Sequence, residues 1–339
     1  MAIKSARTAT WRAGWARTGG VLLMAAGVLA AAPGPIAAAA PAAPAAPAAP
    51  QTWTAPAGIP AAMTNAGSPA LANYNGVLYA AWQDQSSPYH IYYSAYNGHT
   101  WSAEATVPSA LTNYRTGPAL GVYNGDLYVA WQGQSTPFHI WYAAFDGKAW
   151  TAEAKVPSAL DHISSTPGLA AYDGNLYLAW TGESSPYAVY YSAFNGTSWT
   201  AQAKIPSSSS DNFQATDTPL AVYNSQLYAS WETTASNELV YAAFDGASWS
   251  SPADVGATSD AGPALAVKGK KLYESWIDYS SLDVMWASFK GKSWTVGKAI
   301  PGASVFIETG PALAAYSGSL FDAWDPDSSP SAIGYSLGP

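Results

Sequence analysis

Three near-copies of one polar loop carry the residue types best suited to ligand chemistry. They read QDQSSPYH at 83–90, QGQSTPFH at 132–139 and TGESSPYA at 181–188. Each combines an amide or carboxylate with hydroxyls and an aromatic ring, a composition typical of sugar sites. An alternative interpretation is a Ser-Pro turn whose aromatic side chain packs back on the fold. The candidate ligand-binding residues are Gln85, Tyr89, His90, Gln134, Phe138, His139, Glu183 and Tyr187.

A second set of candidates stands three residues before a repeated proline. This position varies while its surroundings repeat, and its members are Ala66, Arg115, Ser164, Thr216, Asp260 and Glu308. Variation at one position of near-identical repeats indicates either specialisation for a ligand or freedom from constraint. We add the charged members Arg115, Asp260 and Glu308 to the candidate ligand-binding residues.

Signals for catalysis are weaker than those for binding. Cleavage of a glycosidic bond uses two carboxyl groups about 5 to 10 Å apart, and Asp217, Asp260 and Glu308 are acids that neighbouring repeats could bring together. The four histidines have no metal-ligand spacing, and no G-x-S-x-G, H-E-x-x-H or P-loop sequence occurs. The sequence therefore assigns no catalytic residue, no metal site and no cofactor, and it leaves a glycoside hydrolase as an alternative.

The unit at residues 117–154 shows the elements that position these loops. It reads GPALGVYNGDLYVAWQGQSTPFHIWYAAFDGKAWTAEA. The dipeptides Asn124-Gly125 and Asp146-Gly147 tolerate positive φ at both central turn positions, so each predicts a tight β-hairpin. The predicted strands are ALGVY, DLYVAW, IWYAAF and KAWTA, and the polar loop connects the second strand to the third.

This unit occurs six times along the chain. The tryptophan that ends the second strand recurs at intervals of 45 to 51 residues, at Trp82, Trp131, Trp180, Trp231, Trp276 and Trp324. A second tryptophan, assigned to the fourth strand, recurs at Trp53, Trp101, Trp150, Trp199, Trp249 and Trp294. Repetition of four-stranded sheets at roughly 40 to 50 residues is typical of a β-propeller.

The two tryptophan series are out of phase, and this predicts how the ring closes. The second series begins at Trp53, before the first full unit, and is missing after the last unit, where the chain ends with residues 333–339. In a closed ring the segment around Trp53 supplies the outer strand that the last unit lacks. The sequence thus predicts an all-β fold, a six-bladed β-propeller closed by N-terminal strand exchange, with the second-strand tryptophans in the core between blades.

Residues 1–31 have the features of a secretory signal peptide, with cleavage expected between 30 and 40. They carry four cations and no acid, followed by the apolar run VLLMAAGVLAAA, which is too short to span a bilayer comfortably. Residues 32–50 form an Ala/Pro-rich linker that favours extended backbone, or else an extension of the leader that is removed on export. The propeller is assigned to 51–339, so we expect a secreted, extracellular protein with no membrane span in the mature chain.

The net charge limits the kinds of molecule that the protein could bind, and the cysteine content limits how its fold can be stabilised. The chain has a formal net charge of −8, and loss of the four leader cations would leave −12. A surface this acidic argues against nucleic acid and anionic membranes, because both bind cationic patches. Cysteine is absent, so stability must come from burial and not from disulfides.

The hairpins FDGKAW, FNGTSW, FDGASW and FKGKSW resemble the WDGxGW hairpins of the six-bladed Aleuria aurantia-type fucose lectins. From Trp53 onward the chain also resembles secreted actinobacterial propellers often described as sialidase-like. The lectin resemblance implies sugar contacts through an Arg in an IRVY-like strand and a Glu before the hairpin, but the strands here read LYVAW and IWYAAF. The sialidase resemblance implies three arginines around the substrate carboxylate, but Arg115 is the single arginine after the leader.

Fucose specificity and sialidase chemistry are therefore not expected. The sequence favours a secreted, lectin-like propeller that recognises cell-surface or environmental glycans multivalently, because near-copies of one loop on a rigid ring convert weak binding into avidity. One alternative is a protein-interaction or structural module of a secreted complex, with other secreted proteins as partners. The other is a glycoside hydrolase that is not a sialidase. We expect a glycan ligand and no nucleic-acid partner.

Overall fold

The computed structural model has an all-β fold of six four-stranded antiparallel sheets. It describes residues 52–64, 67–162, 165–184, 187–208, 217–233, 236–305, 309–326 and 331–339, and within these ranges it contains no helix. The first strands of neighbouring sheets contact one another around a common axis. The sheets are the six blades of a β-propeller, so the predicted fold class is confirmed.

The strands follow the repeat along the chain. β1 (Ala57–Thr64) precedes the first blade. Blade 1 consists of β2 (Ala70–Tyr74), β3 (Val77–Gln83), β4 (His90–Tyr96) and β5 (Ala105–Leu111). Blade 2 consists of β6 (Ala119–Tyr123), β7 (Asp126–Gln132), β8 (His139–Phe145) and β9 (Ala154–Leu160). Blade 3 consists of β10 (Gly168–Tyr172), β11 (Asn175–Thr181), β12 (Val189–Phe194) and β13 (Ala203–Lys204).

The second half of the ring repeats this pattern. Blade 4 consists of β14 (Leu220–Tyr223), β15 (Gln226–Glu232), β16 (Glu238–Phe244) and β17 (Ala253–Thr258). Blade 5 consists of β18 (Ala264–Lys268), β19 (Lys271–Ile277), β20 (Asp283–Phe289) and β21 (Lys298–Ser304). Blade 6 takes three strands from the C-terminal end of the chain, β22 (Ala312–Tyr316), β23 (Ser319–Trp324) and β24 (Ser331–Gly338).

The ring closes through β1, which forms the outer strand of blade 6 and pairs antiparallel to β24. Just before β1, Thr54 N donates a hydrogen bond to Leu337 O (2.8 Å) and Ser336 Oγ donates one to Thr54 O (2.6 Å). Trp53 packs edge-on against Trp286 of blade 5, with ring centroids 5.9 Å apart. The predicted strand exchange is therefore confirmed.

In blade 2 the two hairpins use different turns. Asn124 and Gly125 have φ values of 50° and 88°, as predicted for a tight hairpin with positive φ at both positions. At the second hairpin only Gly147 has positive φ (91°). Asp146 Oδ1 instead accepts hydrogen bonds from the backbone N of Lys148 and of Ala149, both 2.8 Å long. The prediction of one turn type for both hairpins is wrong because the aspartate side chain closes the second turn.

The predicted position of the fourth strand is also wrong. In blade 2 the outer strand β9 begins at Ala154, beyond the predicted segment KAWTA. Trp150 forms only an isolated β-bridge with Phe145. Its ring packs 5.1 Å from that of Phe145 and 5.5 Å from that of Tyr93 in blade 1. The tryptophan thus belongs to the space between blades, and the chain enters the sheet only after it.

Aromatic rings fill the spaces between blades. The second-strand tryptophans are buried as predicted, and Trp82 and Trp131 are each 1% exposed. Between blades 1 and 2 five further rings pack against one another, mostly edge to face, and they belong to Tyr74, Tyr79, Tyr93, Phe145 and Trp150. The same set recurs between blades 2 and 3 as Tyr123, Tyr128, Tyr142, Phe194 and Trp199. Buried aromatic area of this extent is a main source of stability in a fold without disulfides.

Candidate functional site

Both kinds of predicted site loop lie on one face of the propeller, which we call the upper face. Successive strands of a blade are antiparallel, so the link from second to third strand and the crossover to the next blade leave the sheet at the same end. In blade 1 these are the loop 84–89 and the crossover 112–118. The tight hairpins lie at the opposite end. The fold therefore collects the candidate residues on one surface.

In blade 1 the loop and the crossover are joined through Tyr89. Thr112 N donates a hydrogen bond to Tyr89 O (3.0 Å), and Tyr89 has φ of 50°. The Tyr89 ring lies 5.7 Å from the ring of Tyr114 in the crossover, with the two planes inclined by 38°. Tyr114 is 40% exposed. The packed pair therefore presents an aromatic surface to solvent.

Charged and amide groups border this aromatic pair. The Arg115 guanidinium carbon lies 5.6 Å from the centre of the Tyr114 ring, within cation–π range. Gln134 of the next blade's loop is exposed, and its Nε2 donates a hydrogen bond to Pro88 O (3.1 Å). We call Tyr89, Tyr114, Arg115 and Gln134 the upper-face cluster. It offers a ring face and several N–H donors, the groups that hold a saccharide.

The three near-copies of the loop do not place their aromatic residues alike. Phe138 is half-buried, and Asp161 N donates a hydrogen bond to its carbonyl oxygen (2.9 Å), as Thr112 N does to that of Tyr89. In blade 3, Tyr187 instead contacts the buried His162 edge-on, with ring centroids 4.8 Å apart. The loops therefore resemble one another in sequence more than in geometry.

The other predicted residues of these loops have mixed surroundings. Gln85 is exposed and Glu183 is half-buried. His90 and His139 are half-buried where β4 and β8 begin, and their carbonyl oxygens accept hydrogen bonds of 2.8 Å from the loop backbone. Their backbones thus fix the bases of the loops, whereas Gln85 lies where a ligand could reach it.

The predicted ring of charged crossover residues is only partly described. Arg115 joins the upper-face cluster. Asp260 is half-buried, and its backbone N donates a hydrogen bond to Ile277 O (3.0 Å). Glu308 lies outside the described residues. These residues therefore remain predictions as a set, and Arg115 is the member for which the structure describes an exposed aromatic neighbour.

Asp217 lies near the axis of the propeller and links neighbouring blades through hydrogen bonds. Its Oδ2 accepts a hydrogen bond from Ser68 Oγ (2.8 Å) and its Oδ1 accepts one from Thr166 N (2.9 Å), which joins blade 4 to blades 1 and 3. Gly310 N of blade 6 donates to the same Ser68 Oγ (2.9 Å). Burial raises the pKa of Asp217, although the hydrogen bonds from Ser68 and Thr166 oppose this shift. The carboxyl thus joins blades 1, 3 and 4, and Ser68 extends this network to blade 6.

Among the described residues, Asp161 and Asp217 are acids whose carboxyl groups are enclosed by hydrogen bonds. Asp161 is fully buried, and its Oδ1 accepts hydrogen bonds from Ser165 Oγ and from His162 N. Burial raises its pKa well above the usual range, and the nearby Asp217 adds to this shift. The central cavity measures about 90 Å³, well below the roughly 300 to 1,000 Å³ of typical small-molecule sites. Glu308 lies outside the described residues, so the glycoside hydrolase alternative stays a prediction.

Tyr114 is the residue of the cluster that the sequence did not reveal. Tyr114 and Tyr89 lie in two different segments of irregular backbone. In the sequence, the only feature that marks Tyr114 is that it directly precedes the candidate residue Arg115. Among the described residues, no group of three histidine or acidic side chains is placed to hold a metal ion. The described part of the chain also offers no helix that could cross a membrane.

The sequence was compared with family models and with curated proteins. No family model matches it. No curated protein matches it either.

Solved structures share the fold at low sequence identity. AofleA from Arthrobotrys oligospora matches with a TM-score of 0.62 and 13% identity over 85% of this chain and 87% of its own. The fucose-specific lectin from Aleuria aurantia matches with a TM-score of 0.55 and 16% identity over 70% and 78%. The Hadza microbial sialidase Hz136 matches with a TM-score of 0.61 and 13% identity over 82% and 65%. The chain is thus a six-bladed β-propeller similar in architecture to the Aleuria aurantia lectin.

Proposed function

We propose that this protein is a lectin-like propeller that binds glycans through the upper-face cluster. The observation that carries the proposal is the exposed Tyr114 ring, which packs against Tyr89 and lies beside the Arg115 guanidinium. An exposed ring supported by a second ring can cover the apolar face of a pyranose without reorganising. The flanking guanidinium and the Gln134 amide supply donors for sugar hydroxyl groups.

The similar solved structures support a saccharide ligand. They include a lectin described as fucose-specific and a protein described as a sialidase. Sialidase activity is not part of the proposal, because Arg115 is the single arginine after residue 31 and cannot by itself form a three-arginine carboxylate site. A binding function needs only the cluster that is present.

We further propose that the protein is exported and acts on cell-surface or environmental glycans. The cationic and apolar start of the chain supports export. The related loops of blades 1 to 3 lie on the same face of a rigid ring, which supports simultaneous engagement of several glycan branches. Because Tyr89 and Tyr187 contact different neighbours, we expect sites of unequal affinity.

A glycan array with the purified protein tests this proposal. We expect binding to a defined subset of glycans, and at least tenfold weaker binding by Tyr114→Ala and by Arg115→Gln, because each removes a group that contacts the sugar. Tyr279→Ala is the matched control, since Tyr279 is a 54% exposed tyrosine in the corresponding loop of blade 5. No binding to any glycan at high density, or equal losses in all three variants, would refute the proposal.

A further inference from the structure

Blade 5 carries more than half of the lysines in the propeller. Five of the nine lysines after residue 31 lie in its two tight hairpins, at Lys268, Lys270, Lys271, Lys290 and Lys292. These hairpins lie at the end of the sheet opposite the upper face, on what we call the lower face. We call the five lysines the lysine patch. It is a concentration of positive charge in a chain whose formal net charge is −8.

The two hairpins of the lysine patch lie side by side. The hydroxyl of Tyr223 in blade 4 donates a hydrogen bond to Lys270 O in the first hairpin (3.3 Å). A Cβ atom at Gly291, in the second hairpin, would lie 4.0 Å from the same hydroxyl oxygen. Lys270, Lys290 and Lys292 are exposed. The two neighbouring turns therefore present their ammonium groups to solvent together.

The first hairpin of blade 5 differs from that of every other blade. Its first strand ends in Lys268, whereas in the other five blades this strand ends in a tyrosine whose ring packs against a neighbouring ring, at Tyr74, Tyr123, Tyr172, Tyr223 and Tyr316. Lys268 pairs across the hairpin with Lys271, and like charges in directly opposed positions are destabilising. Burial lowers the pKa of Lys268, and the charge of Lys271 lowers it further.

The second hairpin of blade 5 also lacks an interaction that other blades have. In blades 1 to 4 one side-chain oxygen closes this turn by accepting two backbone N–H hydrogen bonds, at Asn97, Asp146, Asn195 and Asp245. Lys290 takes this place in blade 5, and an ammonium group accepts no hydrogen bond. In both hairpins a positive charge thus replaces a stabilising group. The lysines oppose local stability, which favours a role in binding.

We propose that the lysine patch binds an anionic polysaccharide, with its ammonium groups paired to carboxylate or sulfate groups along one strand of the polymer. Lysine acts as a point charge, so it recognises a row of anions without the planar geometry that arginine demands. The first hairpins of the flanking blades, at 224–226 and 317–319, carry no acid that would repel the strand. The site lies on the face opposite the upper-face cluster and does not depend on it.

The charge of the whole protein favours a single polysaccharide strand over other polyanions. Duplex nucleic acid and anionic bilayers have broad, densely charged surfaces. Such a surface at the lysine patch would also come near the acidic remainder of the protein, where repulsion between exposed charges acts over about 10 Å. A single polysaccharide strand is narrow and contacts the patch alone.

Biolayer interferometry with immobilised polygalacturonate, κ-carrageenan and neutral dextran tests the inference. The first polymer carries carboxylates and the second carries sulfates, so the tighter binder identifies the anion. We expect no binding to dextran. Binding to the charged polymer should weaken at least tenfold between 50 and 200 mM salt, because salt screens exposed charges.

Variants that give blade 5 the residues of other blades separate binding from folding. Lys268→Tyr with Lys290→Asn should bind the charged polymer at least tenfold more weakly, while its melting temperature rises by about 2 to 4 °C. Lys270→Gln with Lys292→Gln changes two exposed side chains and should weaken binding to a similar extent. Lys148→Gln with Lys155→Gln is the matched control, because it removes two exposed lysines of blade 2 and should leave the affinity within twofold.

Several outcomes would overturn the inference. They are absence of binding to both charged polymers, equal binding to dextran, and equal losses in the blade 2 control. Unchanged affinity in both blade 5 variants would do the same. Tighter binding to a DNA duplex or to vesicles that contain anionic phospholipid than to either charged polymer would assign the patch to another partner and reject the polysaccharide.

Discussion

Glu274 is a carboxyl in a position that blades 1 to 4 give to aliphatic side chains and that blade 6 gives to Asp322. Val129 of β7 and Leu178 of β11 hold the same place in their strands. Glu274 is fully buried, and its Oε1 accepts a hydrogen bond from Ser230 Oγ of blade 4. Burial raises the pKa of Glu274 from 4.5 to about 8, although the hydrogen bond from Ser230 opposes this. The side chain is therefore protonated in the folded protein at neutral pH.

The titration of Glu274 makes the stability of the protein depend on pH. Between pH 4.5 and about 8 the unfolded chain releases the proton of Glu274 while the folded protein keeps it. The contribution of protonated Glu274 to the free energy of unfolding is thus complete below pH 4.5 and is lost as the pH rises to about 8. Glu274→Gln removes this titration. Thermal unfolding followed by circular dichroism should show the variant melting about 5 °C above the wild type at pH 8.

A matched variant isolates this effect from the change in net charge. Glu104→Gln alters an exposed glutamate and should keep the pH dependence of the wild type. Asp161 and Asp322 are also buried carboxyls whose pKa is raised by burial, so part of the dependence should persist in Glu274→Gln. An identical decline of melting temperature with pH in Glu274→Gln and in the wild type would contradict the assignment.

The hairpin between the first and second strands of blade 2 shows how a dipeptide determines a turn. Gly125 has φ of 88°, and a Cβ atom at this position would meet no atom within 4 Å. Any cost of a side chain at residue 125 therefore comes from the backbone conformation alone. Gly58 in β1 is a useful contrast, because its φ is not positive and its Cβ would make an ordinary 3.7 Å contact with Ala332.

Substitution at these two glycines should separate backbone strain from packing. We expect Gly125→Ala to lower the free energy of unfolding by about 1 kcal/mol, since an L-residue is disfavoured at positive φ. Gly58→Ala should change it by less than about 0.5 kcal/mol. Urea unfolding of both variants measures the difference. If Gly125→Ala were as stable as Gly58→Ala, the hairpin would have to adopt another turn.

The sequence predicts those elements whose signals are local. Each Asn-Gly turn and each repeated tryptophan is recognised within a single repeat. Their recurrence predicts the six blades, and the position of Trp53 before the first repeat predicts the closing strand. The sequence misplaces the outer strand of blade 2, because Trp150 follows a turn closed by the Asp146 side chain and repeat patterns do not show such hydrogen bonds. Contacts between distant segments cannot be predicted from the repeat pattern, because they depend on strand register and loop conformation. The contact of Tyr114 with Tyr89 and the pairing of Met285 with Trp276 are examples.

At the scale of the whole molecule, the ring depends on β1. This strand fully buries Ile59 and Ala62 and completes the outer edge of blade 6. The chain has no cysteine, so no disulfide secures the closure. Hydrogen bonds and packing between the two ends of the described chain therefore hold the propeller closed.

Removal of residues 1–64 should open this closure. We expect the melting temperature to fall by about 5 to 10 °C, because the buried surface of β1 is lost. The exposed edge of β24 should also promote self-association, which light scattering would detect. A variant lacking only residues 1–51 is the control and should melt like the full chain. A peptide of residues 52–64 added to the shortened protein should restore stability, and unchanged melting without it would contradict this account of closure.

The hydrogen bond between Thr54 and Leu337 also means that the first and last described residues are neighbours in space. A short peptide could join them without crossing the body of the protein. New termini could then be introduced at the exposed Asn124-Gly125 turn, and we expect the permuted sequence to form the same ring of six blades. Circular permutation is therefore a natural route for attaching other domains to this propeller while leaving its upper face unobstructed.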